Sequence, residues 1–168
     1  MSNTVKSDLD QLARDILDSI RYVVLGTIDQ DGRTRTSPVY FTPDGYEDLY
    51  WVSFADTHHS HNLARDSRLS GVVFDSTRPP GQSSAVYLTG TAREVRPDEL
   101  AEHLPKAFDP AGRGGRRFGA EEVSGDDGLR LYVWHATAWE VHVPAGHPEL
   151  GTGRDRRVAV DPRPGRPA

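Results

Sequence analysis

Leu49 to Phe74, LYWVSFADTHHSHNLARDSRLSGVVF, sets two strand-like runs on either side of a polar segment. Leu49 to Phe54 is a run of apolar, aromatic and β-branched residues and reads as a strand, and Leu69 to Phe74 is a second one. The polar segment between them opens like a helix, with Asp56 or Thr57 placed to cap it and Leu63 as its apolar anchor. Thr57, His58, His59, Ser60, His61 and Asn62 then fall on or just before the first turn. Unpaired backbone N–H groups and the positive end of the helix dipole gather there and favour an anion. Three imidazoles and two hydroxyls beside that end suit a phosphate. They also suit a solvated turn, because helix N-termini take Ser, Thr and Asp with or without a ligand. A metal centre fits poorly, since the chain has no Cys and no second His/Asp/Glu pair at helical spacing completes a ligand set.

Outward from this stretch, composition sets the bounds. The 168 residues suit one domain with a real core. A formal net charge of -5 argues against a general nucleic-acid partner. No apolar run approaches the ~20 residues of a membrane span, and MSNTVKSDLDQL lacks the apolar core of a secretion signal. Together with the absence of Cys, a cytoplasmic location is the economical expectation.

Toward the N-terminus, Leu9, Leu12, Ala13, Ile16, Leu17 and Ile20 recur at helical spacing, predicting an amphipathic helix over 8–20 opened by Ser7. Tyr22 to Ile28, Thr34 to Thr42 and Leu49 to Phe54 are strand-like runs separated by Asp29-Gln30-Asp31-Gly32 and Pro43-Asp44-Gly45 turns, an antiparallel meander. Toward the C-terminus, Ser76 to Ser84 is a loop by composition. Val86 to Arg93 alternates like a half-buried strand, and its small residues predict a bent or closely approached backbone. Pro97-Asp98-Glu99 opens a helix that Pro105 should divide. Residues 109–128 read as a mobile surface loop, and Leu129–Trp134 and Ala138–Val143 as two last strands. The expected organisation is a domain over 1–146 and a Pro/Gly/Arg-rich tail over 147–168. Five Arg against two Asp from Gly151 onward, with little apolar surface, predict disorder there. The strand succession fits a mainly β chain: a small antiparallel split β-barrel with a few peripheral helices.

Helix, three-strand meander, a short helix near THHSHNLARDSRLSGVVF, then AVYLTGTAREV and another helix resemble the pyridoxamine-5'-phosphate-oxidase-like FMN-binding split barrels over residues 8–143. The most specific pieces are HNLARDSRLSGVVFDS, Val86 to Ala92, and RTRTSPVYFTPDG. The resemblance implies a homodimer with FMN in a cleft between subunits and a small organic substrate. It places Ser37, Pro38, Val39 and Tyr40 beneath the flavin ring. Thr57, His58 and His59 take the place of a Ser and two basic residues at the phosphate, and His61 and Asn62 continue into the helix. Gln82 could reach the cofactor or the partner, and Trp139 stands where a late aromatic approaches the flavin.

The departures are equally specific. Ser37 and Thr42 stand where authentic oxidases carry Arg and Lys, so an ionised imidazole would have to supply the missing charge. This implies a divergent FMN-dependent oxidoreductase acting on an unidentified small organic substrate, not an authentic pyridoxamine phosphate oxidase, with no evident catalytic side chain. The alternatives are a deazaflavin-dependent reductase of the same fold and a flavin- or haem-binding protein without turnover.

Overall fold

The computed structural model describes residues 3–108, 115–147 and 149–164. Helix α1 (Asn3–Ser19) is followed by β1 (Tyr22–Ile28), β2 (Thr34–Tyr40), β3 (Thr42–Asp44) and β4 (Asp48–Phe54). Then come α2 (His58–Arg65), β5 (Arg68–Phe74), β6 (Ala85–Glu94), α3 (Leu100–His103), β7 (Leu129–Val143) and β8 (Arg156–Val160). The strands form one antiparallel sheet in the order β2-β1-β5-β6-β7-β4-β3, with β8 added to β7. It is a split β-barrel flanked by three helices, the expected class.

Two cores hold it. Inside the curve of the sheet, Leu9, Ala13 and Leu17 of α1 meet Val23, Leu25, Trp51, Val73, Leu88, Trp134 and Val141. The spacing of those α1 residues puts them on one helical face, which is the face buried. A smaller core on the other side of β4 and β7 joins Tyr50, Leu131 and Val133 to Val95, Leu100, Phe108 and Val123. The segment read as a mobile loop therefore contributes a buried residue of its own, Val123, with Phe118 packed against the same core. Residues 109–114 of that segment lie outside the described residues.

The two last predicted strands are one. β7 runs unbroken from Leu129 to Val143, but its register against β6 slips where Thr89 pairs with Ala138 and Gly90 with Ala136. A Cβ on Gly90 would lie 2.0 Å from the His135 carbonyl oxygen, so only glycine allows this approach. The bulge bends β7. Its first half pairs with β4 and its second half with β8.

The tail corrects a second expectation. Residues 156–160 are a strand, Val160 and Leu150 are buried, and the arginines are not merely solvated. Arg163 bonds Glu47 at 3.1 Å and Asp161 at 2.8 Å, and lies over the Trp139 ring. The Asp161 N–H donates to Asp10 of α1 at 2.9 Å, and Arg14 reaches the Pro162 carbonyl. Residues 165–168 lie outside the described residues. Composition missed this because the order comes from outside the tail, from the edge of β7 beyond β4 and from carboxylates on α1 and before β4. Helix α1 also starts at Asn3, four residues before the Ser7 expected to cap it.

Deleting residues 156–168 should therefore lower Tm by roughly 5–10 °C. It removes a buried Val and a row of ladder bonds worth about 2–3 kcal/mol together. Scanning calorimetry checks this, and an unchanged Tm would show that the tail adds nothing.

Candidate functional site

The barrel is split where β2 and β4 face each other without pairing. A hollow of about 300 Å3 opens there, lined by Pro38, Val39 and Tyr40 of β2, Val52 and Ser53 of β4, and Phe108 and Phe118. Its aromatic side is firmly held. Tyr40 stacks on Phe108 at 6.1 Å, and Phe118 meets Phe108 edge-on at 5.1 Å. Phe108 adopts φ +59, a strained conformation for a bulky residue, and its N–H donates to the buried Thr42 hydroxyl at 3.1 Å. Thr42 is thus an anchor for the aromatic wall.

The first turn of α2 reaches the wall of the hollow at Ser53, through His59. Thr57 is the N-cap, with its hydroxyl 3.4 Å from the Ser60 N–H, 2.8 Å from the Ser60 Oγ and 3.1 Å from the Phe54 carbonyl. The Ser60 hydroxyl donates to the same carbonyl at 2.9 Å. The turn sorts its three histidines by face. His58 and His61, three residues apart on one side of the helix, are exposed. His59 is buried, and its Nε2 lies 2.8 Å from Ser53 Oγ and 3.2 Å from Thr57 Oγ1. Burial, reinforced by the neighbouring His58, holds its imidazole below the usual pKa, so His59 is the poorest of the three as a source of positive charge.

Asn62 is also turned inward. Its Nδ2 donates to Thr27 Oγ1 at 3.0 Å and to Asp29 Oδ1 at 2.8 Å, pinning α2 to β1. Arg35 closes on the same Asp29 at 2.8 Å, and Arg65 donates to the Ile28 carbonyl and to Asn62. The nearby arginines thus already have partners, and the exposed side chains of the turn are the His58 and His61 imidazoles.

The residues singled out in the sequence are therefore divided. Pro38, Val39 and Tyr40 line the hollow, with half-buried Ser37 next along the strand; Thr57, His58 and His61 belong to the N-cap and first turn of α2 and are not among its lining residues. His59 and Asn62 support the turn from within. Gln82 lies elsewhere, lining a separate cleft of about 500 Å3 with Ile16 and Ile20 of α1, Arg78 and His147. Trp139 is in the main core, its N–H donating to the Tyr46 carbonyl. Ser53, Phe108 and Phe118 were missed. Ser53 did leave a signal, as the single small polar residue in LYWVSF. Among the described residues no group of three His, Asp or Glu side chains is placed to hold a metal ion, and no helix is long and apolar enough to cross a membrane.

The family model of pyridoxamine 5'-phosphate oxidase matches residues 9–140. The chain belongs to the pyridoxamine 5'-phosphate oxidase family. No curated protein matches it by sequence. Among solved structures, a haem-binding protein from Mycobacterium smegmatis is 22% identical with a TM-score of 0.64, over 90% of this chain and 57% of that one. This chain thus spans little more than half of that relative's length. A protein from Clostridium acetobutylicum related to general stress protein 26 of the pyridoxinephosphate oxidase family has a TM-score of 0.64 at 12% identity, covering 91% and 95% of the two chains. An F420 reductase has a TM-score of 0.55 at 19% identity, covering 75% of this chain and 94% of that one. At these identities the likeness is one of fold.

The Asp29 carboxyl is held down to about 2, first by the Arg35 bond and then by that of Asn62. A folded-state pKa below the unfolded value stabilises above the unfolded pKa and is lost as pH falls through the folded one. Tm should therefore fall between about pH 4 and pH 2 in part through this residue. Asp29→Asn should lower Tm at pH 7 and flatten the acid slope, measured by thermal melts across that range. An unaltered slope would dissociate Asp29 from the fastening of α2.

Proposed function

We propose that this chain is an FMN-dependent oxidoreductase acting on a small organic molecule. The observation that carries the reading is the pairing, in a chain of this family, of an aromatic-walled hollow at the β2/β4 split with a helix N-terminus bearing outward hydroxyl and imidazole groups. A flat ring fits against Pro38, Val39 and Tyr40, and an anion fits the open end of α2. FMN, when bound, supplies hydride transfer. The chain's own part is to orient the ring along β2, hold the phosphate by backbone N–H, Thr57, His58 and His61, and keep water from the hollow through Phe108 and Phe118.

Freshly purified protein should show flavin absorbance, or acquire it on titration with FMN. His58→Ala and His61→Ala should each weaken FMN binding about tenfold, the scale of one charge-assisted hydrogen bond. A haem spectrum with those histidines as ligands would favour the binding role named for the Mycobacterium smegmatis relative, and a deazaflavin spectrum the reductase role. Full affinity in both Ala variants would leave the phosphate to other groups.

We also infer a homodimer. The convex face of the sheet carries exposed Tyr22, Ile28 and Phe74 beside half-buried Val24, Val72 and Tyr87, an apolar surface suited to a second copy. Light scattering at micromolar concentration should give twice the chain mass, and a monomer that still binds FMN would overturn it.

A further inference from the structure

Ser53 and His59 make a contact that the folding of the turn does not require. The Thr57 and Ser60 hydroxyls cap the helix and satisfy the Phe54 carbonyl between themselves. His59 nevertheless turns inward and places Nε2 2.8 Å from Ser53 Oγ, the aliphatic hydroxyl on the wall of the hollow. A neutral imidazole carries a proton on one nitrogen only, so this contact has two forms. With Nε2 bare, Ser53 donates to it across the shorter of its two hydroxyl contacts and turns lone pairs toward the hollow, while the Thr57 hydroxyl, 3.2 Å from the same nitrogen, donates to the Phe54 carbonyl. With Nε2–H, the imidazole donates to Ser53, and the hydroxyl hydrogen is free to point outward. Flavin phosphate and ring carbonyl oxygens are acceptors, and only the second form meets them with a donor.

We propose that His59 is a positioning residue, which takes the Nε2–H form when an acceptor oxygen of the cofactor arrives and so makes Ser53 its hydrogen-bond donor. The shift moves one proton from Nδ1 to Nε2 by exchange with solvent and leaves the charge unchanged. The inference rests on the reading of the hollow as the FMN site. It gives a sequence position expected to contact phosphate a different task, exerted through a neighbour.

The test is an FMN titration of the full chain with 15N-labelled histidine. In the complex the His59 Nε2 resonance should be that of a protonated nitrogen. Ser53→Ala and His59→Leu should each weaken FMN binding about tenfold, and the double variant should be no weaker than either. His59→Gln, whose amide can place an N–H near the Nε2 position, should stay within about threefold of the parent. A role in folding alone would make the two losses add and would give Gln no advantage over Leu at equal Tm. Additive losses, or a bare Nε2 in the complex, overturn the proposal. Should the parent take up no FMN, the functional reading fails by itself. The same chains are then titrated with inorganic phosphate, which needs the same donor. The same pattern of losses there upholds the Ser53–His59 pair, and equal or absent binding overturns it.

Discussion

The approach of Gly90 to the β7 backbone is the constraint on which the rest of the molecule depends. No side chain fits between Gly90 and the His135 carbonyl, and the extra residue Thr137 is accommodated as a bulge. A straight β7 would offer one partner along its whole edge. The bent strand offers β4 to one half and β8 to the other, so the sheet curls around Trp51 and Trp134 while remaining open between β2 and β4. The hollow is the gap left by that incomplete closure.

The first turn of α2 stands at the gap because of hydrogen bonds on its hidden side. Asn62 binds Thr27 and Asp29, and Arg35 binds Asp29 in turn. A helix of eight residues has little stability alone. Fastening it to β1 orients one face inward, with His59 and Asn62, and the other outward, with His58 and His61. The division of labour among residues adjacent in sequence is thus a consequence of one helical turn meeting one sheet edge.

The aromatic wall adds a second constraint. Phe108 holds an unfavourable backbone conformation because its N–H has a buried acceptor in Thr42 and its ring lies between Tyr40 and Phe118. The chain lacks fixed positive charge at the turn, and it has aromatic surface beside it. The hollow therefore offers aromatic surface and the neutral hydroxyl of Ser53 rather than fixed charge.

The strand succession, the α1 face, the split-barrel class and the location of the polar turn are all legible in the amino-acid order, because alternation, helical spacing and capping are local properties of consecutive residues. The same order also located the close approach at β6 through its small residues. Only the tertiary structure decided that β7 is a single strand, since a bulge is defined against a partner. It alone decided that the tail docks, since the free β7 edge and the carboxylates Asp10 and Glu47 lie far off in sequence. The same holds for the site. A run of histidines shows which chemistry is available, but burial assigns His59 inward and His58 outward, and burial is fixed by what the helix packs against.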